Sequence, residues 1–238
     1  MVQTRVQIRF SKQGDLRAIG HQDLVRTLER LFRRAGVAVS LSEGFHPKPR
    51  MMFPSALALG TAGCNEVLEV DLAEEIPPAE LVARLAPYAP PGLEFHAAEF
   101  VKPGTKKAQA ARLTYELPLA AEQSVPVAAA AARLMSAESC FLQRPDRDAP
   151  LDLRPHIADL AVADGVLRMT LLVRHEAGAR PRDVLQMLGM DGTPETAWQM
   201  VRADVELAPP RFAGPSGPAP SAERIELADH LPPQKAYE

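Results

Sequence analysis

Four arginines, Arg26, Arg30, Arg33 and Arg34, recur at i, i+4, i+7 and i+8, a spacing that sets them along one face of a helix. A guanidinium is always charged and its planar fork donates two parallel hydrogen bonds, so such a stripe suits phosphate oxygens. Just before it, Lys12, Gly14 and Arg17 stand in a strand-to-helix turn where a glycine brings backbone N–H groups near a ligand and a helix N-terminus favours an anion. Just after it comes Ser42-Glu43-Gly44-Phe45-His46-Pro47-Lys48-Pro49-Arg50. Two prolines spaced two apart keep this stretch extended, so Gly44, Phe45, His46, Lys48 and Arg50 belong to a stiff basic loop suited to an anion. A plain connection, with Phe45 plugging the core, accounts for the same residues, as an ordinary charged turn does for Lys12 to Arg17. His21, Asp23 and His46 are the candidates for proton transfer or metal ligation, provided the loop folds over the helix start.

The charge is unevenly spread. Residues 1–50 hold ten Lys or Arg against four acids, a net +6, so a whole-chain charge of −3 leaves −9 for the remainder. Such asymmetry steers a phosphate-bearing partner toward one end of a mildly acidic molecule. Two cysteines, Cys64 and Cys140, are too few and too distant for a zinc ribbon or iron–sulfur cluster within this chain, and are expected as two buried reduced thiols. No metal site is expected. His96, His156, His175 and His230 lack ligand partners at metal spacing, and the acids Asp146, Asp148 and Asp152 fit a solvated loop. No glycine-rich nucleotide loop or nucleophile elbow occurs. With no apolar run of about 18 residues, and an N-terminus that reads as a strand, no membrane span is expected and the location expected is cytoplasmic.

The elements that must carry these residues follow from periodicity. Val6, Ile8 and Phe10 alternate with Arg5 and Arg9 in a strand over residues 2–10. Leu24, Leu28, Leu31 and Phe32 give the apolar side of the arginine helix, and Gly36 is placed to stop it. Strands follow over 37–41 and 66–72, a helix opens at Pro77 and Pro78, and a strand spans 93–100, giving the order β-α-β-β-α-β. The second half repeats that order with strands over 112–119, near Cys140, and over 151–162, 166–174 and 198–207, and helices over 125–136 and 181–188. Asp164-Gly165 marks a hairpin, and Trp198 and Met200 read as core of the last strand. The fold expected is therefore α+β: two tandem ferredoxin-like (βαββαβ) halves, 1–103 and 110–208, joined by a linker over 102–111. A Pro-rich tail, 209–238, is expected to be disordered.

Taken in order, the strand ending at Phe10, the turn Ser11-Lys12-x-Gly14-x-Leu16-Arg17, the helix start His21-x-Asp23-Leu24, the helix end Arg33-Arg34-Ala35-Gly36, the loop 42–50 and the run 54–60 resemble the radical SAM-linked family of unknown function. Members of that family are fused to, or encoded beside, cobalamin-binding radical SAM proteins, often near ribonuclease E/G and ribosomal-protein genes. The resemblance implies a radical SAM protein as partner, RNA or a ribosome-related particle as target, and an iron–sulfur cluster, S-adenosylmethionine and cobalamin on the partner alone. It departs where a serine commonly precedes the histidine and this chain has Gly20. The leading expectation is a non-catalytic accessory module that presents a basic surface to RNA or another phosphate-rich substrate. Two alternatives stand beside it: an RNA-processing or RNA-modifying enzyme using His21 or His46 as acid-base, and a protein-interaction subunit.

Overall fold

The computed structural model describes residues 4–145, 149–174, 178–190 and 193–212; His175, His230, Asp146, Asp148 and the tail from residue 213 onward lie outside them. The chain begins with β1 (Thr4–Lys12), α1 (His21–Arg34), the two-residue β2 (Met51–Met52), β3 (Ala62–Leu72), α2 (Pro78–Leu85) and β4 (Leu93–Phe100). It continues with β5 (Ala110–Pro118), α3 (Ala121–Ser136), β6 (Phe141–Leu142), β7 (Leu151–Asp152), β8 (Ile157–Ala163), β9 (Val166–Leu172), α4 (Pro181–Met187), α5 (Pro194–Gln199) and β10 (Val201–Leu207). The result is a mixed α/β fold whose sheet is mostly antiparallel. Strands run in the order β4-β1-β3-β10-β5-β9-β8, with β2 on β3 and with β6 and β7 paired apart from the rest.

Alternation decides which face of the sheet is covered. Val6, Ile8 and Phe10 of β1 and Leu68, Val70 and Leu72 of β3 pack with Leu24, Leu28, Leu31 and Phe32 of α1 and Leu81 and Leu85 of α2 in one buried cluster. A second cluster joins Leu117, Leu160, Leu167, Met169 and Leu171 to α3 through Val127, Ala131 and Leu134, and to α4 through Val184 and Leu185. The strands beneath the two clusters join through β3 and β10, which run parallel, Ala62 opposite Val201 and Gly63 opposite Arg202.

α1 ends as its sequence dictates. Gly36 has φ +67°, Val37 N–H donates to Phe32 C=O at 3.0 Å and Gly36 N–H to Arg33 C=O at 3.2 Å, satisfying carbonyls the last turn would leave open. Asp164 and Gly165, at φ 52° and 73°, make the expected hairpin between β8 and β9.

Four expectations are corrected. Residues 37–41 alternate like a strand, yet form only isolated bridges, Val39 to Leu72 and Leu41 to Pro49, because Met51 and Met52 take the pairing with Val70 and Glu69 of β3. The expected strand over 151–162 is split by a 3-10 turn, Arg154–His156, where Pro155 lacks the N–H a ladder needs. Trp198 is no strand core: it sits in α5 and is partly exposed, while Met200 is buried as expected. Both cysteines are free and only half-buried.

Candidate functional site

The basic residues of the first half divide into two groups. One group is consumed inside the protein, around the seam where β3 meets β10. Lys12, Glu66 and Arg202 are 1%, 2% and 1% exposed. Glu66 lies on the helix-facing side of β3, in step with Leu68 and Val70, so its carboxylate needs a partner there. Arg202 of β10 provides it: Nε donates to Glu66 Oε1 at 2.8 Å and Nη2 to Oε2, a two-pronged bond between the halves. The same guanidinium donates to Ser55 Oγ at 3.1 Å, Ala56 C=O at 3.0 Å and Ser55 C=O at 3.2 Å, which pins the run 54–60. Burial alone would lower the Arg202 pKa, but hydrogen bonding and charge from Glu66, aided by Tyr115, raise it. Gly63 makes room, since a Cβ there would lie 2.5 Å from Glu66 Oε1.

Lys12 Nζ donates to Ile19 C=O at 2.8 Å, and burial lowers its pKa against the opposing pull of Glu66. Arg17 donates to Trp198 C=O and stands 6.0 Å from the indole ring centroid, tying the 3-10 turn Gly14–Ala18 to α5. Gly14, at φ +54°, begins that turn. Arg50 is a partial strut, 3.8 Å from Glu43 Oε1 and 3.9 Å from Asp71 Oδ2. Sequence reasoning missed Glu66 and Arg202. The usable signal was the charge at position 66 in phase with a buried alternation.

The second group faces outward. Arg26, Arg30, Arg33 and Arg34 are exposed on α1. Arg26 pairs with Asp23 at 3.2 Å and Arg34 stands 5.7 Å from the ring centroid of Tyr88. The Glu29–Arg33 pair that spacing allows does not form among the described residues, and Arg30 touches only Thr27 Oγ1 at 3.4 Å. Arg30 and Arg33 form a ridge between two clefts. One, about 370 Å³, is bounded by Phe32, Val37, Leu41, Pro49 and Met51. The other, about 410 Å³, lies against Pro87, Tyr88 and Pro90.

The loop over 42–48 closes on itself, Ser42 N–H to Lys48 C=O at 2.8 Å and Lys48 N–H to Ser42 Oγ at 2.9 Å. Its base, Leu41 and Pro49, lines the first cleft, and Gly44 at φ +124° turns the tip. Phe45 is 102% exposed, so it does not plug the core, and His46 and Lys48 are exposed beside it.

The candidate acid-base residues are not brought together. His21 rests edge-on against Phe53 with ring centroids 4.9 Å apart, Asp23 pairs with Arg26, and no hydrogen bond, ion pair or ring contact joins them to His46 among the described residues. No group of three or more His, Cys, Asp or Glu able to hold a metal occurs among the described residues, and the two thiols, near β3 and β6, assemble no ligand set for an iron–sulfur cluster. No helix among the described residues is long and apolar enough to cross a membrane. A cavity of about 780 Å³ opens on the sheet face away from the helices, near Arg9, Glu69, Lys107 and Arg211, where burial raises the Glu69 pKa.

Fold and surface thus define a mixed α/β protein with a clamped seam and an exposed, arginine-rich helix beside a closed loop. The family model described as "Uncharacterized protein conserved in bacteria (DUF2344)" matches residues 5–181, and the chain belongs to that family. No curated protein matches the chain.

Proposed function

We propose that the protein is a non-catalytic accessory module that holds RNA, or another phosphate-rich substrate, on the α1 face for a separate radical SAM protein. The observation that carries this reading is the pair Arg30 and Arg33: exposed, without an acidic partner among the described residues, and each lining both clefts. A cationic ridge between two concavities, with Glu29 in the lining of the first but not paired to it, favours a chain of phosphates, because each guanidinium can fork onto an oxygen. Lys48 and His46 extend the basic surface along the loop, while Lys12 and Arg17 support it from beneath by holding the turn that precedes α1.

The strand orders β4-β1-β3-β2 and β10-β5-β9-β8, each antiparallel throughout, support reading the chain as two ferredoxin-like halves. The radical SAM partner rests on the sequence resemblance. It would carry the cluster, S-adenosylmethionine and cobalamin, and work in the cytoplasm.

The test is a pull-down of the tagged protein from bacterial cells, with sequencing of bound RNA and identification of co-purified proteins. Enriched RNA together with a radical SAM protein is the expected result. A protein partner that survives nuclease treatment, with no RNA enriched, would replace this reading with that of an interaction subunit.

A further inference from the structure

Each cleft beside the arginine ridge has an aromatic residue associated with it, Tyr88 in the lining of the second and Phe45 on the loop that rises from the first. On one side Phe45 projects, wholly exposed, from a loop whose base shares the first cleft with Arg30 and Arg33. On the other, Tyr88 is 41% exposed in the second cleft, walled by Pro87 and Pro90, with the Arg34 guanidinium over its ring. A wholly exposed phenylalanine has no packing role, and nothing among the described residues touches its ring. The loop that carries it is closed at Ser42 and Lys48, so the ring is held on a short, stiff stalk.

From this juxtaposition we infer that the site takes a single-stranded polynucleotide, with phosphates on Arg30 and Arg33 and unstacked bases against Phe45 and Tyr88. The inference rests on the phosphate-binding reading above and narrows it. Cations alone would accept duplex and single strand alike, since both present phosphates. Aromatic faces distinguish them: in a duplex the base faces are stacked inside, whereas a single strand can lay them on side-chain rings. From Arg30 to Arg33 the helix rises about 4.5 Å, so the two guanidiniums can meet neighbouring phosphates of one strand. The site therefore suits a short segment of strand, with bases turned out toward the clefts on the two sides of the ridge.

The experiment is an anisotropy titration of labelled, non-self-complementary RNA of about 12 nucleotides, free or annealed to its complement, with polyglutamate as an acidic-chain control. The full chain is compared with Phe45→Ala and Tyr88→Ala. The single strand is expected to bind about tenfold tighter than the duplex, and each substitution to cost the single strand about tenfold while leaving the duplex unchanged. The salt slope should stay the same in both variants, because neither removes a charge. Equal affinity for both forms, unaltered by Phe45→Ala, overturns the inference while leaving the phosphate-binding reading standing. Failure to bind either RNA, or tighter binding of polyglutamate, overturns both. Phe45→Ala carries the test even if Tyr88→Ala fails to fold, since Phe45 packs against nothing.

Discussion

The seam and the α1 face draw on cations of the same kinds, yet put them to opposite uses. At the seam, Arg202 is spent on Glu66, Ser55 and Ala56, and Lys12 on Ile19, with almost no surface exposed. On α1, Arg30 and Arg33 keep their donors free of any acid among the described residues and face two clefts. The difference teaches that charge counts along a chain do not measure a binding surface. Of the basic residues near the N-terminus, Lys12 and Arg17 are taken up by the carbonyls of Ile19 and Trp198, while Arg30 and Arg33 remain exposed. The run 54–60 and the loop 42–50, close in sequence, divide the same way: the first is gripped by Arg202, while the second projects Phe45, His46 and Lys48 outward.

The sharpest way to break the comparison is at the seam. Arg202→Met leaves the Glu66 carboxylate buried without its partner and should destabilise the protein by about 3–5 kcal/mol in chemical denaturation. Replacing both, Arg202→Met with Glu66→Leu, should recover much of that loss, because the buried charge is then gone as well. Next in size, Gly63→Ala should cost about 1–3 kcal/mol, because its Cβ meets a carboxylate that Arg202 holds in place.

A smaller effect comes from Lys12, whose ordinary pKa of 10.5 is lowered by burial. Between its folded pKa and 10.5 the unfolded chain binds more protons than the native state, so native stability rises with pH across that window. The stability difference between the wild type and Lys12→Met should therefore move in favour of the wild type as pH climbs toward 10.5, measured by denaturation midpoints at stepped pH.

Much of this was legible in the sequence, and the failures have physical causes. α1 could be read because apolar and basic residues separate cleanly at helical spacing and Gly36 supplies the left-handed stop. β4 could be read because Pro90, Pro91 and Gly92 precede it. The strand expected over 37–41 failed because local alternation does not reveal which segment wins a neighbouring edge, and Met51 and Met52 won it. Trp198 leaves the strand because Thr193-Pro194-Glu195 starts a short helix ahead of it: Thr193 Oγ1 accepts from Thr196 N–H at 3.3 Å, an N-cap followed by proline at the first helical position.

At the candidate site, the arginine face was legible because helical spacing alone fixes it. The fates of Lys12 and Arg17 were not, because their partners, Ile19 and Trp198, are set by tertiary packing. Phe45 could be read either as core or as surface, and only the closed loop decides between them.

The central claim, that exposed cations bind while buried cations hold, is tested most directly by one paired measurement on Arg30→Ala with Arg33→Ala: RNA affinity as a function of salt, alongside the unfolding free energy. The account predicts weaker binding, a log–log salt slope shallower by about 1.4 for two lost phosphate contacts on a single strand, and a stability within about 0.5 kcal/mol of the wild type. An unchanged salt slope, or a loss of stability that accompanies the loss of binding, would contradict it.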